Sequence, residues 1–134
     1  MDREQINVTD AELAVLQVLW DHQPATIRQI TDAIYADAND AKYATVQKLL
    51  ERLEEKRHVH RDRTQHAHQF TALTSRDALV GRRLRAMAEE LTGGMMAALL
   101  SHLVRAETLT PEERRELRDL IDGLDRKKSP QVKR

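Results

Sequence analysis

Lys42-Tyr43-Ala44-Thr45-Val46-Gln47-Lys48-Leu49-Leu50-Glu51-Arg52-Leu53 runs into His58-Val59-His60-Arg61-Asp62-Arg63 and then Ala67-His68-Gln69-Phe70-Thr71-Ala72-Leu73. The first segment has helical period: Val46, Leu49, Leu50 and Leu53 fall in one stripe, the mark of an amphipathic helix packed on neighbours. Ala44, Gln47, Lys48, Glu51, Arg52 and Glu55 occupy the other side. After Arg57 the periodicity changes and predicts two strands, joined near Thr64-Gln65-His66. That turn lacks the Asn-Gly or Asp-Gly pair that favours the tightest hairpins.

Upstream, two more helices are predicted. Val8-Thr9-Asp10-Ala11-Glu12-Leu13 is a start signal. Thr9 caps, Glu12 sits at the reciprocal capping-box position, and Val8 can staple onto Leu13. Leu13, Leu16 and Trp20 then recur on one side, widened by Val15 and Leu19, until Pro24. Thr26-Ile27-Arg28-Gln29 repeats the capping box and opens a helix with Ile27, Ile30 and Ile34 inward; the polar run Asp37 to Asp40 ends it. Three helices followed by a charged hairpin is the order of a winged helix-turn-helix, expected here over residues 6–74.

Everything after Ser75 reads helical. One helix is predicted from Asp77 to Leu91, broken by Gly93-Gly94, and a second from Met95 to Ala106. Thr110-Pro111-Glu112-Glu113 combines a cap, a first-turn proline and a capping-box glutamate, opening a third. Leu84, Leu91, Met95, Met96, Leu99, Leu100, Leu103, Val104, Leu117, Leu120, Ile121 and Leu124 form the apolar set of this arm, over residues 75–125. Such a stripe suits a ligand pocket, a membrane-lying helix or a pairing seam. Its flanks are not strongly basic, against the membrane, and aromatics make up only 3% of the chain. A homodimer seam is therefore expected, with residues 126–134 a disordered basic tail. The fold class is mainly α: a winged helix-turn-helix with a small β-hairpin wing, then a helical dimerisation arm.

At 134 residues with 33% charged residues, a small domain plus an oligomerisation arm suits the composition. The formal net charge is zero, but it is uneven. Met1 to Ala41 holds two basic and eight acidic residues, Lys42 to Arg63 seven and four, and Ser75 onward thirteen and ten. Positive charge therefore starts where the third helix starts. No membrane span or secretory leader is predicted, and zero cysteines exclude disulfides and thiolate chemistry. The cytoplasm is the expected compartment. No Gly-rich phosphate loop, His-Glu-x-x-His or Gly-x-Ser-x-Gly motif points to an enzyme, and no cofactor is implied.

A helix fits the major groove and reads bases from its N-terminal half. On that reading Gln47 pairs with adenine and Lys48 with guanine or phosphate. Tyr43, Ala44 and Thr45 meet thymine methyls or backbone, and Arg52 meets phosphate, with Lys42 at the helix start completing the set. Arg61, Arg63 and Gln65 on the wing grip the neighbouring backbone or minor groove. The same residues also suit an ordinary solvated face, and Glu51 and Glu55 on it repel phosphate. His58 and His60, and likewise His66 and His68, fall on one side of a strand by spacing. A metal-responsive wing would use them, but no Cys or carboxylate completes a familiar ligand spacing, so no metal site is assigned.

Val8-Thr9-Asp10-Ala11-Glu12-Leu13-Ala14-Val15-Leu16-Gln17-Val18-Leu19-Trp20 is similar to the opening of the BlaI/MecI/CopY family of bacterial penicillinase repressors. Thr45-Val46-Gln47-Lys48-Leu49-Leu50-Glu51-Arg52-Leu53 resembles that family's recognition helix, Thr-Val-x-x-Leu-Leu-x-Arg-Leu. The resemblance spans about Ile6 to Leu124. It implies a winged-helix DNA-binding domain, a helical dimerisation arm, and repression at a palindromic operator in double-stranded DNA. In antibiotic-responsive members a membrane sensor-protease system triggers cleavage of the arm, and the family's scissile Asn-Phe aligns with His102-Leu103. Copper-responsive members use C-terminal cysteines, which are absent here. Arg57 and Gln65 stand where the family's wing usually has Gly, and Ala44 and Gln47 where lysines are frequent.

Overall fold

The computed structural model describes residues 7–106 and 109–132. In order come α1 (Asp10–Asp21), β1 (Ala25–Thr26), α2 (Ile27–Ile34), α3 (Asp40–Glu55), β2 (Val59–Asp62), β3 (Gln69–Ala72), α4 (Arg76–Thr92), α5 (Met96–Arg105) and α6 (Pro111–Val132). They fall into two compact units, one ending at Gly81 and one beginning at Arg82. The division lies inside α4, later than the expected residue 75, because Leu79 is buried in the core of the first unit.

Local chemistry sets the helix starts of the first unit. The Thr9 hydroxyl accepts from Glu12 N at 3.2 Å, and Glu12 Oε1 accepts from Thr9 N at 2.9 Å. Thr26 and Gln29 repeat the arrangement at 3.1 and 2.9 Å. Each box satisfies two amides that a helix start otherwise leaves unpaired. Val8 is buried and Leu13 packs against the same cluster, as a staple requires. The core joins Val15, Leu16 and Leu19 of α1, Ile30 of α2 and the four-residue stripe of α3 to Val59, Phe70 and Leu79. Side chains this deeply buried each contribute roughly 1.5–3 kcal/mol by leaving water.

The sheet has the order β1-β3-β2, antiparallel throughout. β2 and β3 pair from Val59↔Ala72 to Asp62↔Gln69, shorter than the strands the sequence predicts. β1 is unforeseen: two residues carry no periodicity, and their strand geometry comes from pairing Ala25 with Phe70 and Thr26 with Gln69. The wing tip dispenses with glycine, because Asp62 Oδ1 accepts from both the amide (2.9 Å) and hydroxyl (2.7 Å) of Thr64. This side-chain turn replaces a backbone one. The same two bonds hold the Asp62 carboxyl below the usual aspartate range.

At the end of α3, His58 N donates to Leu53 O and Arg57 N to Glu54 O, at 2.8 and 3.0 Å. This paired termination needs a left-handed residue between helix and strand, and Arg57 takes that conformation at φ 66°. A non-glycine residue there costs roughly 1–2 kcal/mol. Trp20 fastens α1 to the exit of the wing: its indole N–H donates to Thr74 O at 2.9 Å. The Arg76 guanidinium lies 5.2 Å from its ring centroid.

In the second unit, α4 stops at Gly93 and Gly94, with φ of 64° and 95°, and Gly94 N donates to Ala88 O at 2.9 Å. Thr110 and Glu113 box the start of α6 at 3.1 and 2.9 Å. α6 then runs to Val132, so the described part of the tail expected to be disordered from residue 126 is helical. Asp125 to Lys128 are tolerable or good helix formers. Apolar burial is sparse: Met87, Leu91, Met95, Leu100, Leu103, Val104, Leu117, Leu120, Ile121 and Leu124 are 42–67% exposed. Ala88 is buried. Among the described residues no helix is long and apolar enough to cross a membrane.

Candidate nucleic-acid interface

The outer face of α3 follows from its inner one. Val46, Leu49, Leu50 and Leu53 are each at most 7% exposed, so the remaining positions point outward. Asn39 caps the helix, accepting from Lys42 N at 2.9 Å. Tyr43, Ala44, Thr45, Gln47, Lys48 and Arg52 are all exposed, together with Glu51 and Glu55. The Thr45 hydroxyl donates back to Ala41 O at 3.0 Å, turning part of its polarity into the helix. Among the described residues Gln47, Lys48 and Arg52 hold no ion pair or side-chain hydrogen bond, so their polar ends are open to a ligand.

Lys42 does not join them. Its ammonium pairs with Asp37 Oδ1 at 2.5 Å and donates to Asp37 O at 3.2 Å. It also lies 5.3 Å from the Tyr35 ring centroid. The lysine therefore fastens the start of α3 to the preceding loop, and its hydrogen bond and charge hold the Asp37 carboxyl below the usual range.

The wing divides its expected DNA contacts. Arg61 was expected to reach outward, but its side chain is only 15% exposed and pairs with Glu54 Oε1 at 3.1 Å. Its guanidinium sits 5.0 Å from the Phe70 ring centroid. The cause is register: Arg61 lies opposite Phe70, so both share the face turned to the core. Arg61 Nε is buried without a hydrogen-bond partner. Arg63 is 61% exposed and rests on Glu54 Oε2 at 3.2 Å. Gln65 is exposed at the tip.

The histidines separate as well. His58 precedes β2 and is buried, with Nδ1 2.6 Å from Thr74 Oγ1. His60 is exposed, so the two do not share a side as spacing predicts. The reason is the left-handed turn at Arg57, which places His58 in the helix termination rather than the strand. Among the described residues no three His, Asp or Glu side chains gather as a metal site.

Two important residues went unread in the sequence. Glu54 links α3 to the wing through both arginines, and its i+7 spacing places it on the same stripe of α3 as Gln47. Glu12, foreseen only as a cap, is fully buried and meets Lys56 at 2.7 and 2.9 Å. No local pattern signals either cross-element pair.

A three-helix core, a three-stranded sheet and an outward polar α3 beside a charged wing define the class: a winged helix-turn-helix protein. The chain belongs to the penicillinase repressor family, whose model matches residues 8–123. It is 37% identical over 97 residues to the Transcriptional regulator BlaI of each of two Mycobacterium tuberculosis strains, covering 71% of this chain and 70% of the relative. Among solved structures, that of a Lactococcus lactis ZitR mutant is similar with a TM-score of 0.43 and 17% identity, over 90% of this chain and 75% of that one.

Proposed function

We propose that this protein is a transcriptional repressor that binds a palindromic operator as a homodimer. The observation that supports this most is the outer face of α3, where Gln47, Lys48 and Arg52 stand exposed and unpaired among the described residues. The rigid inner stripe holds that face in one orientation, and recognition helices of this fold use such a face in the major groove. The exposed apolar residues of α4, α5 and α6 supply the pairing surface. Two copies then present two reading helices to two half-sites.

Relief of repression would follow from cutting the arm. His102 and Leu103 lie in α5 and both are exposed. Separating the pairing surface removes the second anchor, and linked binding loses most of its affinity with it. A membrane sensor-protease system is the trigger this scheme calls for, acting on a repressor in the cytoplasm, where the operator is.

Replacing Gln47 and Lys48 together with Ala tests the reading face. A base contact of the Gln47 kind is worth about 1–3 kcal/mol in each of two half-sites, so preference for the operator over a scrambled duplex should fall roughly 30- to 10⁴-fold, while loss of the Lys48 phosphate contact weakens both duplexes alike. The oligomeric state, measured by sedimentation, should not change. Undiminished preference would contradict the assignment of this face.

A further inference from the structure

Glu54 receives two wing arginines that differ in what holds them. Arg61 is 15% exposed on Oε1, against Phe70, while Arg63 is 61% exposed on Oε2. Arg61 is committed by packing. Arg63 is held by one exposed ion pair, a contact of small net worth in water. If Arg63 leaves, Glu54 keeps a full counter-charge in Arg61, so no isolated carboxylate is left behind. Gln47, Glu51 and Glu54 lie on one stripe, with Glu54 about 10 Å along the helix from Gln47. A duplex lying on that stripe brings its backbone beside Arg63.

We infer that Arg63 is a two-position residue, parked on Glu54 in the free protein and transferred to a DNA phosphate when a duplex lies along α3. This rests on the DNA-binding reading above. Glu54 then acts as an internal competitor for phosphate, and Arg61 as the group that makes the exchange inexpensive. The exchange is insensitive to base sequence, so it sets affinity for any duplex.

The test uses the full chain, a labelled duplex from its promoter region and a scrambled duplex, followed by fluorescence anisotropy. Glu54→Gln should bind both duplexes about two- to fivefold more tightly, the factor an exposed pair withholds. Arg63→Ala should cost about two- to fivefold more in the Glu54→Gln background than in the unaltered chain. Glu55→Gln, which removes an exposed glutamate of the same helix, should leave the cost of Arg63→Ala unchanged. A second measurement needs no variant: guanidinium NMR signals followed during titration with duplex should show Arg63 shifting and Arg61 staying. Additive costs, weaker binding by Glu54→Gln, or a static Arg63 signal in a DNA-bound chain each overturn the transfer. An unaltered chain that binds neither duplex instead removes the DNA-binding reading itself.

Discussion

Leu120→Asp combined with Leu124→Asp is expected to turn the proposed homodimer into a monomer and to lower operator affinity by about 10²- to 10⁴-fold, the range that linkage of two sites supplies. The two residues are four apart on α6 and each is 60% exposed. They therefore form one ridge, and substituting them removes little packing within a single copy. Buried against a second copy, the introduced carboxylates face each other across an apolar surface and lose their hydration, a penalty of several kcal/mol per charge. Sedimentation velocity reads the dimer and anisotropy reads the operator. A variant that stays dimeric would move the seam off α6, and a monomer with full operator affinity would remove the need for pairing.

Glu12→Ala should destabilise the winged-helix unit by about 2–4 kcal/mol, combining the lost reciprocal half of the capping box with a broken buried ion pair. Glu12 has no exposure. It accepts from Thr9 N, and both its oxygens accept from Lys56 Nζ. It thereby ties the start of α1 to the end of α3. Without it the Lys56 ammonium keeps, among the described residues, only Asn7 O, at 3.0 Å. For a unit of this size the thermal midpoint should drop by roughly 10–25 °C. Trp20, the single tryptophan, lies in this unit and reports its unfolding.

The same carboxylate carries a pH signature. Burial pushes the Glu12 carboxyl up, but hydrogen bonds from Lys56 and from the Thr9 amide, with the charge of Lys56, bring it below the usual glutamate range. A lowered folded value means that the stabilisation is complete above the unfolded value of about 4.3 and fades as pH falls through the folded one. Glu12→Gln keeps the shape and one acceptor but loses the charge. Its stability should therefore be lower than the parent's at neutral pH, with the gap closing in acid. A constant gap from pH 7 to below pH 3 would show that the ion pair contributes nothing.

What was legible in the chain was what is local. Capping boxes at Thr9, Thr26 and Thr110 lie within four residues, and the α3 stripe repeats within two turns, so spacing alone exposes them. The outward placement of Gln47, Lys48 and Arg52 followed from that stripe. What was hidden depends on partners distant in sequence. β1 is a strand only because β3 lies beside it. Arg61 is turned inward by its register with Phe70 and by Glu54, and Lys42 by Asp37. Charge in a sequence window counts cations without saying which are already neutralised, and here that correction changes the expected interface from five cations to three per copy.

That count sets the most direct test of the central claim, a titration of the chain onto its own promoter region at several salt concentrations. Lys48, Arg52 and a released Arg63 in each of two copies give six phosphate contacts, hence a slope near −5 in log affinity against log salt, at about 0.9 per contact. Raising salt fourfold should then weaken binding roughly 10³-fold, with the promoter duplex preferred over a scrambled one throughout. Binding that ignores salt and does not prefer the promoter would contradict the account.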